Sequence, residues 1–558
     1  MNNYISLKEL EDSIHNIKKN TKNPMKKILN NKRIKKIKRK VEKQNKKFIE
    51  LKTKENIELF NNIKGCKLDK DQVKAILIEE DSCLVIAGAG SGKTLTMLGK
   101  IKYLIEKKEI DPKKILCISF TNAITTDLKN SIKEELNIDM EVLTFHKLGL
   151  KVLKENNINA KIVDENKLKK IVEYVIKYID KEEMKKYFSN ELELKKIIIT
   201  FINLYKSGKE TSLLNIKEEI EKEKNRFIKN RNIYLIKIIE KVYNKYQKTL
   251  EINEEIDFND MINEASSLII EGYRFPKYDY IIIDEYQDTS YARYKLLKAI
   301  KDKNNCPLLA VGDDWQSIYR FTGCDIQMFT EFKKYFEYSY ITKIQKTYRN
   351  PQQLIDIAGM FVMKNPNQYK KYLKSDKFLE KPIKIFLYEK EEEINLILKE
   401  IPQERKEILI LGRNNEDLNE ININGEKIKK LTVHKSKGLQ SDTVIIINLK
   451  DNITGFPNQI TDDAIFKYLL NKEIYPFEEE RRLFYVALTR TKNEVYLFTP
   501  KNSKSCFIDE LIHLYQSEIE ILSKKDYCKK CGKRYINNKC EQCKTWKYDI
   551  IKKVKLWN

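Results

Sequence analysis

The stretch LVIAGAGSGKTLTML, residues 84–98, decides the fold. Three apolar residues, Leu84, Val85 and Ile86, run into AGAGSGKT, residues 87–94. Glycines 88, 90 and 92 let backbone N–H groups curl around phosphate oxygens, with Ala89 and Ser91 completing the loop. Lys93 adds positive charge, and Thr94 is placed to hold Mg²⁺. About 190 residues later a second apolar run, YDYIIIDEYQDTS at residues 278–290, ends in Asp284 and Glu285. One of these carboxylates can hold the metal while its neighbour activates water. The two halves together describe a nucleotide-hydrolysing site on an α/β fold.

Length and composition frame that reading. A chain of 558 residues has room for about three or four domains, and a hydrophobic content of 41% is ordinary for a globular protein. The net charge of +25, from 107 basic and 82 acidic residues, suits a polyanion partner, because phosphate contacts by Lys and Arg release counterions. A solvated basic surface in a Lys-rich chain would give the same balance. No window approaches about 18 uninterrupted apolar residues, so the expectation is a soluble, cytoplasmic protein with no membrane partner. Six of the ten cysteines (66, 83, 117, 306, 324 and 506) are scattered through core-like segments, as reduced intracellular thiols would be.

Working outward, residues 1–67 read as a basic helical arm. Between 26 and 54 basic residues stand at nearly every second position, over a thin apolar stripe of Ile34, Ile37, Val41 and Phe48. Such an arm could lie on nucleic acid, dock on a partner protein, or pack as a solvated helix on the main body. Residues 68–150 and 255–345 carry the alternating strand and helix pattern of a parallel sheet. The interval 151–254 has no proline, one glycine (Gly208) and helical spacing through IVEYVIKYI and LKKIIITFINLY, which predicts an all-helical insertion. A second βα region spans 346–510, with apolar runs at 383–388, 408–412, 444–448 and 494–498. No internal repeat is visible in the sequence itself.

Near the C-terminus, within 520–558, Cys528, Cys531, Cys540 and Cys543 form C-x₂-C-x₈-C-x₂-C with Gly532 after the first pair. Four thiolates at this spacing suit tetrahedral Zn²⁺ in a small ribbon, with a redox pair or unmetallated thiols as the other readings. Six basic residues surround the cluster, so nucleic-acid binding, protein docking and a purely structural role all remain open.

The order of motifs resembles that of the UvrD/Rep-type superfamily 1 helicases over about residues 68–498, and the compact layout looks closer to the DNA helicase IV branch. The resemblance implies two RecA-like P-loop NTPase domains. It places Gln72 where an amide reads adenine, and IDEYQDTS at the metal-binding segment. VGDDWQSIYRFTG, residues 311–323, would supply Gln316 as γ-phosphate sensor and Tyr319 and Phe321 as DNA-facing aromatics. TYRN puts Tyr348 against adenine and Arg349 at the γ-phosphate, and EEERRLFYVALTRTK supplies Arg490. Guanidinium groups that arrive only when two domains close would lower the barrier for a phosphoryl group leaving through a loose, charge-spread transition state. ISFTNA, LTFHKL and TVHKSKGL resemble segments of the single-strand track. Their Phe120, with Phe321, offers stacking faces, while Thr121, Asn122, Thr144, His146 and His434 can hydrogen-bond to phosphates.

Four departures stand out. Leu95 follows GKT where an arginine is common near adenine, Thr322 replaces an arginine beside the stacking aromatic, and Gln440 replaces a glutamate after GL. The short intervals from Arg349 to Thr432 and from Leu439 to Glu479 also leave no room for the large helical domain that relatives carry there. The reading is an ATP- and Mg²⁺-dependent 3′-to-5′ DNA translocase or helicase acting on single-stranded and tailed duplex DNA in repair, recombination or defence. Two alternatives keep the ATPase, as a DNA-stimulated regulator of a partner nuclease or as an RNA polymerase remodelling factor, with a protein docked on the arm or the ribbon.

Overall fold

The structure is a computed structural model that describes residues 3–19, 24–400, 407–419, 421–423, 425–523, 526, 542 and 543. Its strands, in chain order, are β1 Ser82–Ala87, β2 Ile115–Ser119, β3 Val142–Thr144, β4 Lys161–Ile162, β5 Glu255–Ile256, β6 Tyr280–Ile283, β7 Leu308–Gly312 and β8 Ser339–Ile344. Six more follow: β9 Ile383–Tyr388, β10 Ile408–Gly412, β11 Ile428–Thr432, β12 Ser441–Ile446, β13 Thr491–Pro500 and β14 Glu520–Ser523.

Two six-stranded parallel sheets organise the chain, ordered β3-β2-β6-β7-β1-β8 and β11-β10-β12-β13-β9-β14. Counted from its own first strand, each sheet has the same order: third, second, fourth, fifth, first, sixth. The two lobes therefore share one topology although no sequence repeat announces it. Both faces of each sheet are covered, which is why the strands read as unbroken apolar runs. In the first sheet Leu84, Ile86, Ile281 and Ile283 face one core, while Val85, Ala87, Ile282 and Val311 face the other. The second sheet divides in the same way, with Ile383, Leu409 and Val495 on one side and Phe386, Ile410 and Phe498 on the other. Trp315 and Ile318 of the first lobe join that first-named core of the second lobe, and the Trp315 ring meets Tyr485 at 5.2 Å, edge to face.

Some expected boundaries move. β14 pairs in parallel with β9 and buries Leu522, so the second sheet extends past the expected limit at 510 and into the segment assigned to the ribbon. The apolar run expected as a strand at 444–448 is shifted: β12 starts three residues earlier, at Ser441, and ends two residues earlier, at Ile446. The insertion is helical at Glu165–Lys177, Lys181–Lys185, Glu191–Ser207, Leu213–Glu221 and Arg226–Ile252. Its ends are joined by the short parallel pair β4 and β5, two residues each, too brief to leave a periodic signal. N-terminal to the first sheet, helices Leu7–Lys19 and Pro24–Glu55 are followed by a short helix, Ile57–Asn61. Cys528, Cys531 and Cys540, and with them the zinc reading, lie outside the described residues.

Candidate nucleotide site and nucleic-acid track

Loops from the carboxyl edge of the first sheet, where parallel α/β folds place ligands, meet residues that directly precede β12 and β13 of the second in one cavity of about 600 Å³. Residues 88–92 leave β1 and feed the helix Lys93–Lys108 at its N-terminus. Gly90 and Gly92 have φ of 70° and 78°, in the left-handed region where a Cβ is strained. Space is closed as well: a Cβ on Gly90 would lie 2.4 Å from the Arg349 Cβ, and one on Gly92 would lie 2.6 Å from the Gln72 Nε2. The loop is held from outside, where the Thr347 hydroxyl donates to the Ala89 carbonyl at 2.8 Å and the Tyr348 N–H donates to the Gly90 carbonyl at 2.9 Å.

The opposite wall begins where β6 ends. Asp284 is buried there, and Glu285 follows with φ 48°, a left-handed conformation uncommon outside glycine that turns its carboxylate toward the loop. The Lys93 ammonium donates to both oxygens of Glu285, at 2.9 and 3.0 Å, and the Gln287 amide donates to one of them at 2.5 Å. Burial pushes Asp284 up to about 6, with the negative charge of Glu285 adding to the effect. Burial acts on Glu285 in the same direction, but Lys93 and Lys437 outweigh it and hold its carboxyl at about 2. Two adjacent carboxylates thus differ in proton affinity in the free protein, with Glu285 held ionised by the two lysines that face it.

The second lobe contributes two arginines to the same cavity. Arg490, almost fully buried, donates through Nη2 to the Gln316 Oε1 at 3.1 Å and through Nε to the Val486 carbonyl at 2.9 Å. Burial, with Arg349 as like-charged neighbour, pulls it down to about 9. Arg349 donates to the Gln440 Oε1 at 3.1 Å and to the Thr489 carbonyl at 3.2 Å, so the glutamine that departs from the motif takes up this arginine. Two desolvated guanidinium groups beside a glycine cradle and an oxygen-donor pair fit a polyphosphate with Mg²⁺: Thr94, exposed into the cavity, and Asp284 would hold the ion with phosphate oxygens and water. Among the described residues no cluster of three or more His, Cys, Asp or Glu side chains forms a cage of its own.

Most of the sequence-expected residues meet here, with one displaced. Gly88, Ala89, Ser91, Lys93, Thr94, Tyr348 and Gln316 line the cavity. Gln72 does not. It is fully buried in a capping box, its Oε1 accepting the Asp69 N–H at 2.9 Å and its Nε2 donating to the Ser91 carbonyl at 3.1 Å. Four supporting residues went unread in the sequence. Gln287 also accepts the Asp313 N–H, Asp313 accepts the Gln316 amide at 2.6 Å, and Lys371 pairs with Asp313. Lys437 crosses from the second lobe to the Asp288 carboxylate and to the Gln316 carbonyl at 2.7 Å. Gln287, Asp313 and Lys437 stand inside recognised motifs, whereas Lys371 sits in a linker with no local pattern.

An aromatic line runs beside the cavity from one lobe to the other. Phe120 stacks on Tyr319 (5.6 Å, 14°), Tyr319 meets Phe321 edge-on at 6.2 Å, and Phe321 meets His434 of the second lobe at 5.6 Å. Phe321 is 56% exposed. The Arg293 guanidinium lies 4.7 Å from the Phe120 ring, a neighbour that sequence reading missed, so Phe120 is already covered by Tyr319 and Arg293. Burial lowers His146 and His434 to about 4, helped by Arg293 and by Arg413 respectively, so both are neutral at physiological pH. Thr121 and Asn122 are exposed at a helix start, with the Thr121 hydroxyl accepting the Ile124 N–H. Thr144 is buried and its hydroxyl caps the next helix by accepting the Lys147 N–H.

The geometry joins a phosphate loop, an acidic strand end and second-lobe arginines to a track shared by both lobes. The family model of the UvrD/REP helicase N-terminal domain matches residues 68–337, and that of the UvrD-like helicase C-terminal domain matches 413–502. The chain belongs to the UvrD/REP helicase family. Among similar proteins, DNA helicase IV of Escherichia coli is 28% identical over 508 residues, covering 82% of this chain and 72% of that protein. The ATP-dependent DNA helicase PcrA of Staphylococcus aureus is 30% identical over 323 residues, 55% of this chain and 41% of its own length. The PcrA of Staphylococcus epidermidis is 29% identical over the same extent. In this UvrD/REP helicase the first matched model spans five of the six strands of the first sheet and the helical insertion, ending just before β8, and the second ends within two residues of β13.

Proposed function

We propose that this UvrD/REP-family chain is an ATP- and Mg²⁺-dependent motor that moves 3′ to 5′ along single-stranded DNA and opens tailed duplexes in repair, recombination or defence. One observation carries the reading: Gln316 touches the nucleotide cavity through Arg490 while its own loop continues into Tyr319 and Phe321 on the aromatic line. A change in phosphate occupancy is therefore three residues away from a base-stacking surface. In this reading residues 88–92 and Lys93 hold the triphosphate, Thr94 and Asp284 hold the metal, and Tyr348 stacks on the base, with Gln72 reading adenine once its capping bonds are exchanged. The metal, when bound, neutralises phosphate charge and orients the γ-phosphoryl group. Glu285 takes the proton of the attacking water, Gln316 senses the γ-phosphate, and Arg349 and Arg490 stabilise the spreading charge.

On the track, Phe120, Tyr319, Phe321 and His434 would stack or support successive bases, at about 1–3 kcal/mol per base and without sequence preference. Thr121, Asn122, Thr144 and His146 would contact phosphates. The four C-terminal cysteines are assigned to Zn²⁺, and metal analysis of the purified protein with and without their substitution tests that directly. The function itself is tested by strand displacement with duplexes carrying a 3′ or a 5′ tail. Unwinding of the 3′-tailed substrate alone, dependent on ATP, is expected. DNA-stimulated ATP turnover with no displacement of either substrate would overturn the motor and favour a regulatory ATPase.

A further inference from the structure

The long N-terminal helix Pro24–Glu55 is divided lengthwise by chemistry. Its apolar stripe of Ile34, Ile37, Val41 and Phe48 is half-buried or buried, beside Leu10 and Ile14 of the helix Leu7–Lys19. The base of the pair is fixed to the first lobe. Glu80 accepts the Tyr4 hydroxyl at 2.8 Å and the Leu7 N–H at 2.7 Å, and the Asn45 amide bonds both the N–H and the carbonyl of Ile5 at 2.8 Å. From residue 32 to 47 the exposed side of the helix carries cations, with Glu42 as its one carboxylate. Lys32, Lys36, Lys40, Lys43 and Lys47 recur at steps of four and three, and Arg39 stands three after Lys36 and four before Lys43, which places the six on one face; all six are exposed.

Two neighbouring cations have partners, Lys38 with Glu11 at 3.7 Å and Lys46 with Glu50 at 4.0 Å. Among the described residues none of the six pairs with a carboxylate. The stripe covers fifteen residue steps, about 22 Å at 1.5 Å per residue, on a rod that cannot fold back on itself. We propose that this face binds the phosphate backbone of double-stranded DNA without reading its sequence.

A rigid row of unpaired cations complements a rigid polyanion, whereas surfaces that hold single strands add aromatic platforms for the bases. Residues 30–47 contain no aromatic side chain, and the stacking rings of this chain lie on the other track. The arm therefore takes the duplex while the cleft takes the single strand. The duplex assignment goes beyond the motor reading, and only its single-strand control rests on that reading.

The test uses the full chain with K32Q, K36Q, R39Q, K40Q, K43Q and K47Q combined, and a second variant with arginine at the five lysines. Binding of a blunt fluorescent duplex is followed by anisotropy as salt is raised, and ATP turnover with oligo(dT) is read on the same samples. The glutamine variant is expected to bind the duplex at least tenfold more weakly at low salt. Its log K against log salt should be shallower by several units, as about 0.9 per lost phosphate contact requires. Oligo(dT)-stimulated turnover should stay within twofold, and the arginine variant should bind like the parent. Unchanged duplex affinity in the glutamine variant overturns the assignment and points to an acidic protein on this face. Equal loss on duplex and oligo(dT) overturns it too, as does a parent that ignores blunt duplex.

Discussion

Lys371 and Asp313 form an ion pair with both side chains sealed from solvent, 1% and 0% exposed. Lys371 comes from the segment that links the two sheets, also donates to Asp314 at 2.7 Å, and lies 4.2 Å from the Trp315 ring centre. The other oxygen of Asp313 accepts the Gln316 amide, whose carbonyl accepts Arg490. The inter-lobe linker is thus wired to the phosphate-sensing amide and fixes which way it points.

Removing one partner of a buried pair costs about 3–5 kcal/mol, so Lys371→Met should lower the melting temperature clearly. Its sharper signature is kinetic. Well below that temperature kcat for ATP should fall at least tenfold while KM stays within threefold, because Lys371 touches no part of the cavity. Lys371→Arg, which keeps the charge, should recover part of kcat. Parental kcat in the methionine variant would mean that the pair is structural only.

Glu285 competes with phosphate for Lys93. In the free protein the ammonium is engaged by both carboxylate oxygens, so nucleotide binding must pull it away. Glu285→Gln removes that competitor and the proton acceptor at once. Turnover should drop by at least a hundredfold while ATP affinity rises severalfold, a divergence that equilibrium binding alongside steady-state kinetics reveals. Weaker ATP binding in this variant would contradict the competition.

Acid sensitivity should follow Asp284. Burial, with Glu285 beside it, places its carboxyl at about 6, so below that pH the free protein carries a neutral and poor metal ligand. The activity on Mg-ATP should rise with pH through about 6, and raising Mg²⁺ should move that limb to lower pH, since a cation favours the ionised form. The sign for stability is opposite. A carboxyl whose folded value lies above its unfolded one stabilises the fold at low pH and loses that contribution as pH rises through about 6. Melting curves should accordingly show Mg²⁺ with nucleotide stabilising the protein more at pH 7.5 than at pH 5.5. Asp288, also raised to about 6 by burial, would contribute a part that Mg²⁺ does not shift.

The phosphate loop and the acidic strand end were each legible because the chemistry of each is local: the loop's glycines at positive φ lie within a few residues of Lys93 and Thr94, and the two carboxylates stand side by side where β6 ends. The same holds for the arginines, whose strings are short and ordered. What stayed hidden depends on long-range placement. β3, β8, β11 and β14 were not read because three to six residues at a sheet edge carry too little periodicity, and Ser339–Ile344 breaks alternation with Tyr340 and Ile341 both half-buried. Gln72 shows a different limit. Its position was legible, but its amide is consumed by a helix cap, a choice decided by Asp69 three residues earlier. Lys371 had no sequence signal at all, since only the folded linker brings it to Asp313.

The interval before the helix Glu478–Leu488 shows what stands where relatives place a large domain. Ile465 and Phe466 are buried in the core of the helical insertion, Asp463 pairs with Arg231 on both guanidinium nitrogens, and Lys467 pairs with Glu223. A strap from the second lobe thereby ties it to a block that belongs to the first, in an arrangement where Arg349 and Arg490 already face the phosphate loop. The strap favours the closed cleft. Deleting a buried phenyl group and one partner of a sequestered pair removes several kcal/mol of local packing, of which about 1–2 kcal/mol need bias closure for a five- to thirtyfold effect. Phe466→Ser with Asp463→Ala should therefore depress ATP turnover in the absence of DNA. Oligo(dT) bridging both lobes along the aromatic line should restore most of it, so the ratio of stimulated to basal turnover rises. A variant whose basal turnover equals or exceeds that of the parent would show that the strap does not hold the cleft closed.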